Sequence, residues 1–409
     1  MTDTPVLPRD VDGPPGKTAV RPLLFLVMAV CSGATVANVY LAQPLLKLFS
    51  DSLGISHSSA GIVVTCAQFG YAGGILFLVP MGDVRRRRPL LATMLSVTTA
   101  LLLLAAAAPG LGVLAAATAA IGAATVIPQV LVPMAAELAP PEKRAAVVAN
   151  VQIGLMTGIV GSRVIGGAVG QLAGWRAVYV LAAVLTALTG ALTVYLLPDE
   201  GARPAMSYRS LLASLPRLVR DQPAVRHACA LHGALFGAYS ATWTTLVLVL
   251  TNNHYGYSSA AAGLFGLLGL AGALCAPWAG RRIDRKGAQP IIIGSLVLTL
   301  LSAGAYALGG SLLAALIVGI VLANVGVQWS QIANQARIFA YVPDARSRAN
   351  TVYMVAVFLS GAVSAAVASA CFDSYGWGGV CAVQAVLAVI GLLVVPLMRQ
   401  HDRRHPVAA

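Results

Sequence analysis

The sequence predicts an all-α membrane protein with twelve transmembrane helices, arranged as two six-helix bundles related by a pseudo-twofold axis. Three observations carry this. The 409 residues are 58% hydrophobic and only 10% charged, with a mean hydropathy of +0.81, so the chain has too little polar surface for water and the bilayer is its solvent. Next, a dense charge cluster, Pro80-Met81-Gly82-Asp83-Val84-Arg85-Arg86-Arg87-Arg88-Pro89, sits between apolar runs at 60–81 and 90–108, each near bilayer-crossing length. Charge of that density cannot enter hydrocarbon and marks a tight turn at one membrane face. The device returns half a chain later as Gly280-Arg281-Arg282-Ile283-Asp284-Arg285-Lys286-Gly287, which makes the chain a duplication. Finally, the basic residues sort by loop. All but Lys47, Arg163, Arg176 and Arg337 of the 27 lysines and arginines fall in alternate connections or the tails.

Taken in order, residues 1–21 hold Pro5, Pro8, Pro14 and Pro15 with mixed charge and no apolar h-region, which reads as a cytoplasmic tail and not as a signal peptide. Apolar windows at 22–44, 59–81, 90–108, 111–137, 146–172 and 177–197 build the first bundle, 22–197. Residues 198–225 are the one long connection. There Tyr208, Leu211, Leu212, Leu215 and Leu218 alternate with Arg209, Arg217 and Arg220, either as a basic amphipathic segment on the inner leaflet or, given Pro198, Pro204, Pro216 and Pro223, as an unstructured linker. Windows at 226–250, 259–279, 289–308, 312–340, 348–372 and 377–398 build the second bundle, 226–398, before a short tail at 399–409.

An even number of spans puts both termini on one side. The basic loops make that side cytoplasmic, in a plasma (inner) membrane. The net charge of +13 thus follows topology, and no nucleic-acid partner is implied. The six cysteines lie in apolar runs without CxxC spacing and read as core residues, neither metal ligands nor a disulfide framework. A monomer is expected.

The duplication repeats in detail. Leu53-Gly54-Ile55-Ser56 echoes Tyr255-Gly256-Tyr257-Ser258, Gly174-Trp175 echoes Gly376-Trp377, and Pro141-Glu142-Lys143-Arg144 echoes Pro343-Asp344-Ala345-Arg346. Six spans per copy make a parallel repeat about the membrane normal. Such repeats place a small-molecule site at their interface near the midplane, reached from each side in turn.

Candidate site residues follow from faces. In span 5, Gly154, Gly158, Ser162, Gly166 and Gly170 recur every four residues and form a nearly bare face. Small residues let backbones approach in lipid, either as a surface on which one half slides against the other or as static packing. Ala356, Ser360, Ser364 and Ala368 echo it in span 11. Arg163 lies about 15 residues into span 5, roughly 22 Å across at 1.5 Å per residue, with Gln152 on its face. An intramembrane arginine points to an anionic or carbonyl-bearing substrate, or else it snorkels or bonds helix carbonyls. In span 10, Asn324, Gln328, Gln331 and Gln335 share a face too polar for lipid. In span 7, His232, Phe236, Tyr239 and Trp243 do the same. These faces suit a moderately polar, ring-containing ligand, or else interhelical bonding and aromatic packing. Asn38, Gln43, Gln68, Tyr71 and Gln129 are their partners from the first half, and Pro128 and Pro133 would bend span 4.

With these residues in view, the chain resembles the major facilitator superfamily. The family's loop signature, Gly-x-x-x-Asp-Arg-x-Gly-Arg-Arg, is split between the copies. Gly280, Asp284, Arg285 and Gly287 match it in the second, and Asp83, Arg87 and Arg88 in the first. The segments Asn38-Val39-Tyr40-Leu41-Ala42-Gln43-Pro44, Gly174-Trp175-Arg176-Ala177-Val178-Tyr179 and Asn350-Thr351-Val352-Tyr353-Met354 are similar to those of bacterial drug and metabolite exporters.

The resemblance implies secondary transport by alternating access, export of small organic molecules, a proton gradient as the driving partner, and a conformational latch at Asp83 and Asp284 with their basic neighbours. The family's glycine–proline step in span 5 is replaced by Gly161-Ser162-Arg163, its span-4 arginine is missing from Ala119-Ala120-Ile121-Gly122-Ala123-Ala124, and no carboxylate lies at mid-depth. His232 is the one mid-depth histidine that could titrate. Import, facilitation or exchange stays open as to direction, as does a non-transporting sensor of the same fold. An enzyme is disfavoured, because neither paired carboxylates, a nucleophile with a base, nor a P-loop appears in the spans.

Overall fold

The computed structural model describes residues 17–140, 143–198 and 207–405, without the side chains of 17–21, Asp83 and Ala145. Most of the N-terminal tail, Pro141, Glu142 and Pro204 lie outside the described residues. Ten helices there are long and apolar enough to cross a membrane, and two of them are broken pairs, which gives twelve spans. They are α1 Lys17–Tyr40, α2 His57–Phe77, α3 Arg87–Ala106, α4 Leu111–Leu138, α5 and α6 within Arg144–Leu196, α7 Pro223–Leu250, α8 Ser259–Lys286, α9 Gln289–Leu308, α10 Leu313–Tyr341, and α11 and α12 within Arg346–Arg404. One membrane end carries the arginine turns and both described termini and is called here the basic end; the other is the far end.

The sequence echoes are structural echoes. Gly174 (φ 80°) separates α5 from α6, and Gly376 (φ 59°) separates α11 from α12, at backbone angles that side chains with a Cβ rarely adopt. The following tryptophans pin both corners. Trp175 packs edge-on to Phe49 at 5.3 Å and donates to Ser52 Oγ at 2.8 Å, and Trp377 packs edge-on to Tyr306 at 5.8 Å and donates to its carbonyl at 2.7 Å. Likewise Ser56 and Ser258 cap the N-termini of α2 and α8, each accepting a backbone N–H at 3.2 Å.

Two spans are interrupted. Helix α4 breaks at Thr125 and resumes at Ile127, so the bend precedes Pro128, which sits in a first turn where its missing N–H goes unneeded. Helix α8 passes through a 3₁₀ stretch, Phe265–Gly269. Between the bundles, Tyr208–Asp221 is a helix with Leu211 and Leu215 buried and Arg209, Arg217 and Arg220 exposed, which excludes the unstructured alternative for that segment. Tyr208 OH donates to Phe77 O at 2.8 Å and ties this helix to α2.

The glycine stripe corrects an expectation. A Cβ at Gly154 or Gly158 would collide with the α1 backbone at Ala29 or Gly33, while Gly166 and Gly170 face Pro44, Leu45 and Leu48. Ser162 is buried and donates to Ile159 O within its own helix at 2.7 Å. All these partners belong to the same half, so the stripe fastens α5 to α1 and is not a sliding surface between halves. The echo behaves alike, with Ser360 Oγ donating to Gly233 O of α7 at 2.7 Å.

The two halves meet elsewhere, most closely at the far end. A Cβ on Gly167 of α5 would stand 2.6 Å from Ser259 O of α8, and one on Gly263 of α8 would stand 2.5 Å from Arg163 O. Two bonds close this end. Ser58 N–H, at the start of α2, donates to Asp373 Oδ2 at 3.0 Å, and Ala260 N–H, at the start of α8, donates to Gln171 Oε1 at 3.0 Å. Asp373 and Gln171 occupy equivalent positions in the two copies. Each half therefore caps a helix of the other.

Candidate functional site

Arg163 is the centre of the site. It projects from α5 across the interface and is 2% exposed. The turn after α1, Gln43–Leu45, places Gln43 Oε1 against the guanidinium, 3.3 Å from Nε and 3.2 Å from Nη2. From the other half, Tyr239 OH accepts from Nη2 at 3.1 Å. The Trp243 ring lies 3.8 Å from Cζ, with Tyr40 at 5.5 Å and Tyr239 at 5.8 Å, so aromatic faces stabilise the cation. Snorkelling is thereby excluded.

The interruption in α8 explains how such a bulky side chain fits. In a 3₁₀ turn, residues three apart eclipse one another, which lines up Gly266 and Gly269, with Gly263 in the helical turn just before them. They run along Arg163 from backbone to tip: a Cβ on Gly266 would stand 2.9 Å from Arg163 Cβ, and one on Gly269 4.0 Å from Nη1 and 3.4 Å from Asn324 Oδ1. Any side chain at Gly263 or Gly266 would displace the arginine. Sequence reasoning missed this trough, although its three-residue spacing was visible.

Below Arg163, toward the basic end, the aromatic face of α7 continues as a ladder. Trp243–Tyr239, Tyr239–Phe236 and Phe236–His232 ring centroids stand 6.0, 5.9 and 6.2 Å apart. Phe236 meets Phe358 of α11 at 5.2 Å, and Phe358 meets Tyr71 of α2 at 4.5 Å. Tyr71 accepts from Gln129 at 3.4 Å, and Gln68 donates across the interface to Ser240 Oγ at 2.8 Å. His232 is buried and stacks on Tyr353 at 5.5 Å, and among the described residues its Nδ1 has no hydrogen-bond partner.

The amide face of α10 divides. Asn324 donates to Ile320 O of its own helix at 2.8 Å, and Gln335 donates to Asn350 at 3.1 Å. Gln328 and Gln331, between them, are half-buried and bond to none of the described residues. Two predicted residues fall outside the site. Asn38 donates to Thr125 and Thr186, both at 3.3 Å, and so joins α1, α4 and α6 inside the first half, because the α4 break turns the Thr125 hydroxyl toward it. Gln152 is exposed, nearer the basic end of α5.

Two of the loop arginines are tied to helices of their own half. Arg87 is buried and makes a two-pronged ion pair with Glu137 of α4, at 2.7 and 2.8 Å, while Arg88 donates to Val194 O of α6 at 3.0 Å. The Asp83 side chain lies outside the described residues. Asp284 and Arg285 are exposed, Gly280 faces open space, and Gly287 (φ 77°) ends α8. The Asp284 carboxylate has no partner among the described residues, so the expected latch is not made there in this conformation. In its place Arg337, left unpaired by the sequence, holds Asp402 at 2.6 Å and Ala224 O at 3.1 Å. The signal was hidden because Asp402 lies past the last apolar window. Among the described residues no cluster of His, Cys, Asp or Glu could hold a metal ion.

Comparison with known proteins agrees with this architecture. The model of the Major Facilitator Superfamily matches residues 25–312 and 228–409. The probable transporter SCO4007 of Streptomyces coelicolor is 44% identical over 391 residues, covering 95% of this chain and 91% of its own. The putative uncharacterized transporter YgaY of Escherichia coli K12 is 37% identical over 375 residues, covering 92% and 95%. Among solved structures, a peptide transporter POT in complex with sulfate superposes with a TM-score of 0.77 at 14% identity, over 93% of this chain and 95% of that one, a likeness of fold. The chain belongs to the Major Facilitator Superfamily, as a multi-pass membrane transporter and not an enzyme.

Proposed function

We propose that this secondary transporter exports small organic molecules across the inner membrane by alternating access, with the basic end in the cytoplasm. The observation that carries the reading is the polar and aromatic site at mid-depth, built by both halves around Arg163 and sealed at the far end by the two reciprocal caps. Gln328 and Gln331 present free, half-buried amides on the side toward the basic end, where a cytoplasmic ligand would enter. Export and proton antiport enter from the likeness to bacterial exporters. Sidedness rests on the excess of basic residues in the loops at one end.

A second reading, exchange of one solute for another, is favoured by the composition of the site. No carboxylate lies beside Arg163 among the described residues, and His232 is stacked against Tyr353. Flux in proteoliposomes separates the two. Proton-driven export predicts concentrative transport on imposing a pH gradient. Exchange predicts flux that requires solute on the opposite side and ignores that gradient. Absence of any flux for all solutes that bind would sink the transporter reading of this site.

A further inference from the structure

We propose that the site takes a small organic monoanion, a carboxylate carried on a planar body, at the Nη1 edge of Arg163. This deepens the transporter reading and rests on it for the site's location only. The guanidinium has two kinds of partner in the structure, the neutral oxygens of Gln43 and Tyr239 and the faces of aromatic rings. Its Nη1 donates to no described residue. The ion pairs among the described residues, Lys47–Asp51, Arg87–Glu137 and Arg337–Asp402, all lie elsewhere. A cation taken out of water without a counter-charge is costly, and an anionic ligand is the partner that removes the cost.

Geometry selects the kind of anion. Trp243 covers one face of the guanidinium, and the unengaged Nη1 offers an anion an edge-on approach in the plane. In that plane Nε and Nη2 are already engaged by Gln43 and Tyr239, so a carboxylate oxygen accepts from the N–H groups of Nη1. Asn324 Oδ1 lies near the Nη1 edge across Gly269, and Gln328 and Gln331 continue its helical face toward the basic end. The rings of Tyr239, Phe236 and Phe358 supply an aromatic wall for the body of the ligand.

The test uses the purified full-length protein in detergent, with melting temperature as readout and benzoate, mandelate and pyruvate as probes, each beside its neutral amide. At least one carboxylate should raise the melting temperature by about 2–5 °C near saturation, and its amide should not. Arg163→Gln should weaken that response about tenfold or more. Should Arg163→Gln fail to fold, Gln43→Glu answers the same question. It installs a built-in counter-ion beside Nε and Nη2, and should raise the melting temperature while abolishing the response to carboxylate. Stabilisation by amides as strong as by acids, no response to any of the acids, or an undiminished response in Gln43→Glu would each overturn the proposal. Because binding is read without flux, a carboxylate that binds but is never transported would fault the transporter reading and leave this one standing.

Discussion

Arg163 and Arg337 show two ways of keeping a cation inside a membrane bundle. Arg337 has a full charge partner: Asp402 accepts from Nε and Nη2, and Tyr341 OH donates to the same carboxylate at 2.8 Å. Arg163 has amide, phenol and ring faces in its place. The difference predicts different mutant phenotypes. Asp402→Asn removes the counter-charge of a buried guanidinium and leaves it neutral oxygens only, and should lower the detergent melting temperature by an amount equivalent to about 1–3 kcal/mol without altering ligand affinity. A binding change in Asp402→Asn would mean that this pair reaches the site. The residue scale is also where the sequence was least legible. Gln43 and Arg163 were each recognisable as polar residues out of place, yet nothing in a linear chain pairs positions so far apart. The glycines at 263, 266 and 269 make sense as a set once the 3₁₀ stretch and the helical turn before it bring them along one side chain.

At the scale of elements, small residues carry no directional signal. A bare helical face identifies close backbone approach but not the helix that approaches, and so the stripe in α5 read equally well toward either half. Its true neighbour is α1. Gly158→Leu should consequently cost about 1–3 kcal/mol or more through overpacking and reduce the yield of monodisperse protein. A variant that is stable, monodisperse and locked in one conformation would restore the sliding interpretation. The reciprocal caps belong to the same scale. Asp373 places negative charge at the N-terminus of α2, a contact worth about 0.3–1 kcal/mol. Asp373→Ala should therefore raise the labelling rate of Ser259→Cys by an impermeant maleimide applied at the far end, about two- to fivefold. An unchanged rate would show that the cap is incidental to closure.

For the whole molecule, span number and duplication were readable because each rests on a strong rule: the length of apolar runs, the exclusion of charge from hydrocarbon, and the symmetry of the copies. The echoes succeeded because each sets a backbone requirement, such as positive φ at Gly54, Gly174, Gly256 and Gly376. The loop signature names residues without their conformation-dependent partners. Sidedness has a direct check: cysteines placed at the exposed Arg86 and Arg282 should both react with an impermeant reagent from the cytoplasmic face of the membrane. Reaction from opposite faces would break the two-bundle arrangement itself.

The uncompensated charge at the centre of this molecule carries an electrical consequence. An unliganded carrier holds the positive charge of Arg163 inside the membrane, and the proposed monoanion would cancel it. A full elementary charge crossing 100 mV is worth about 2.3 kcal/mol, and even part of that bears on a step in which access to Arg163 passes from one face to the other. Voltage should thus act on the empty carrier's return and spare the occupied one's passage, a rectification set by a single guanidinium.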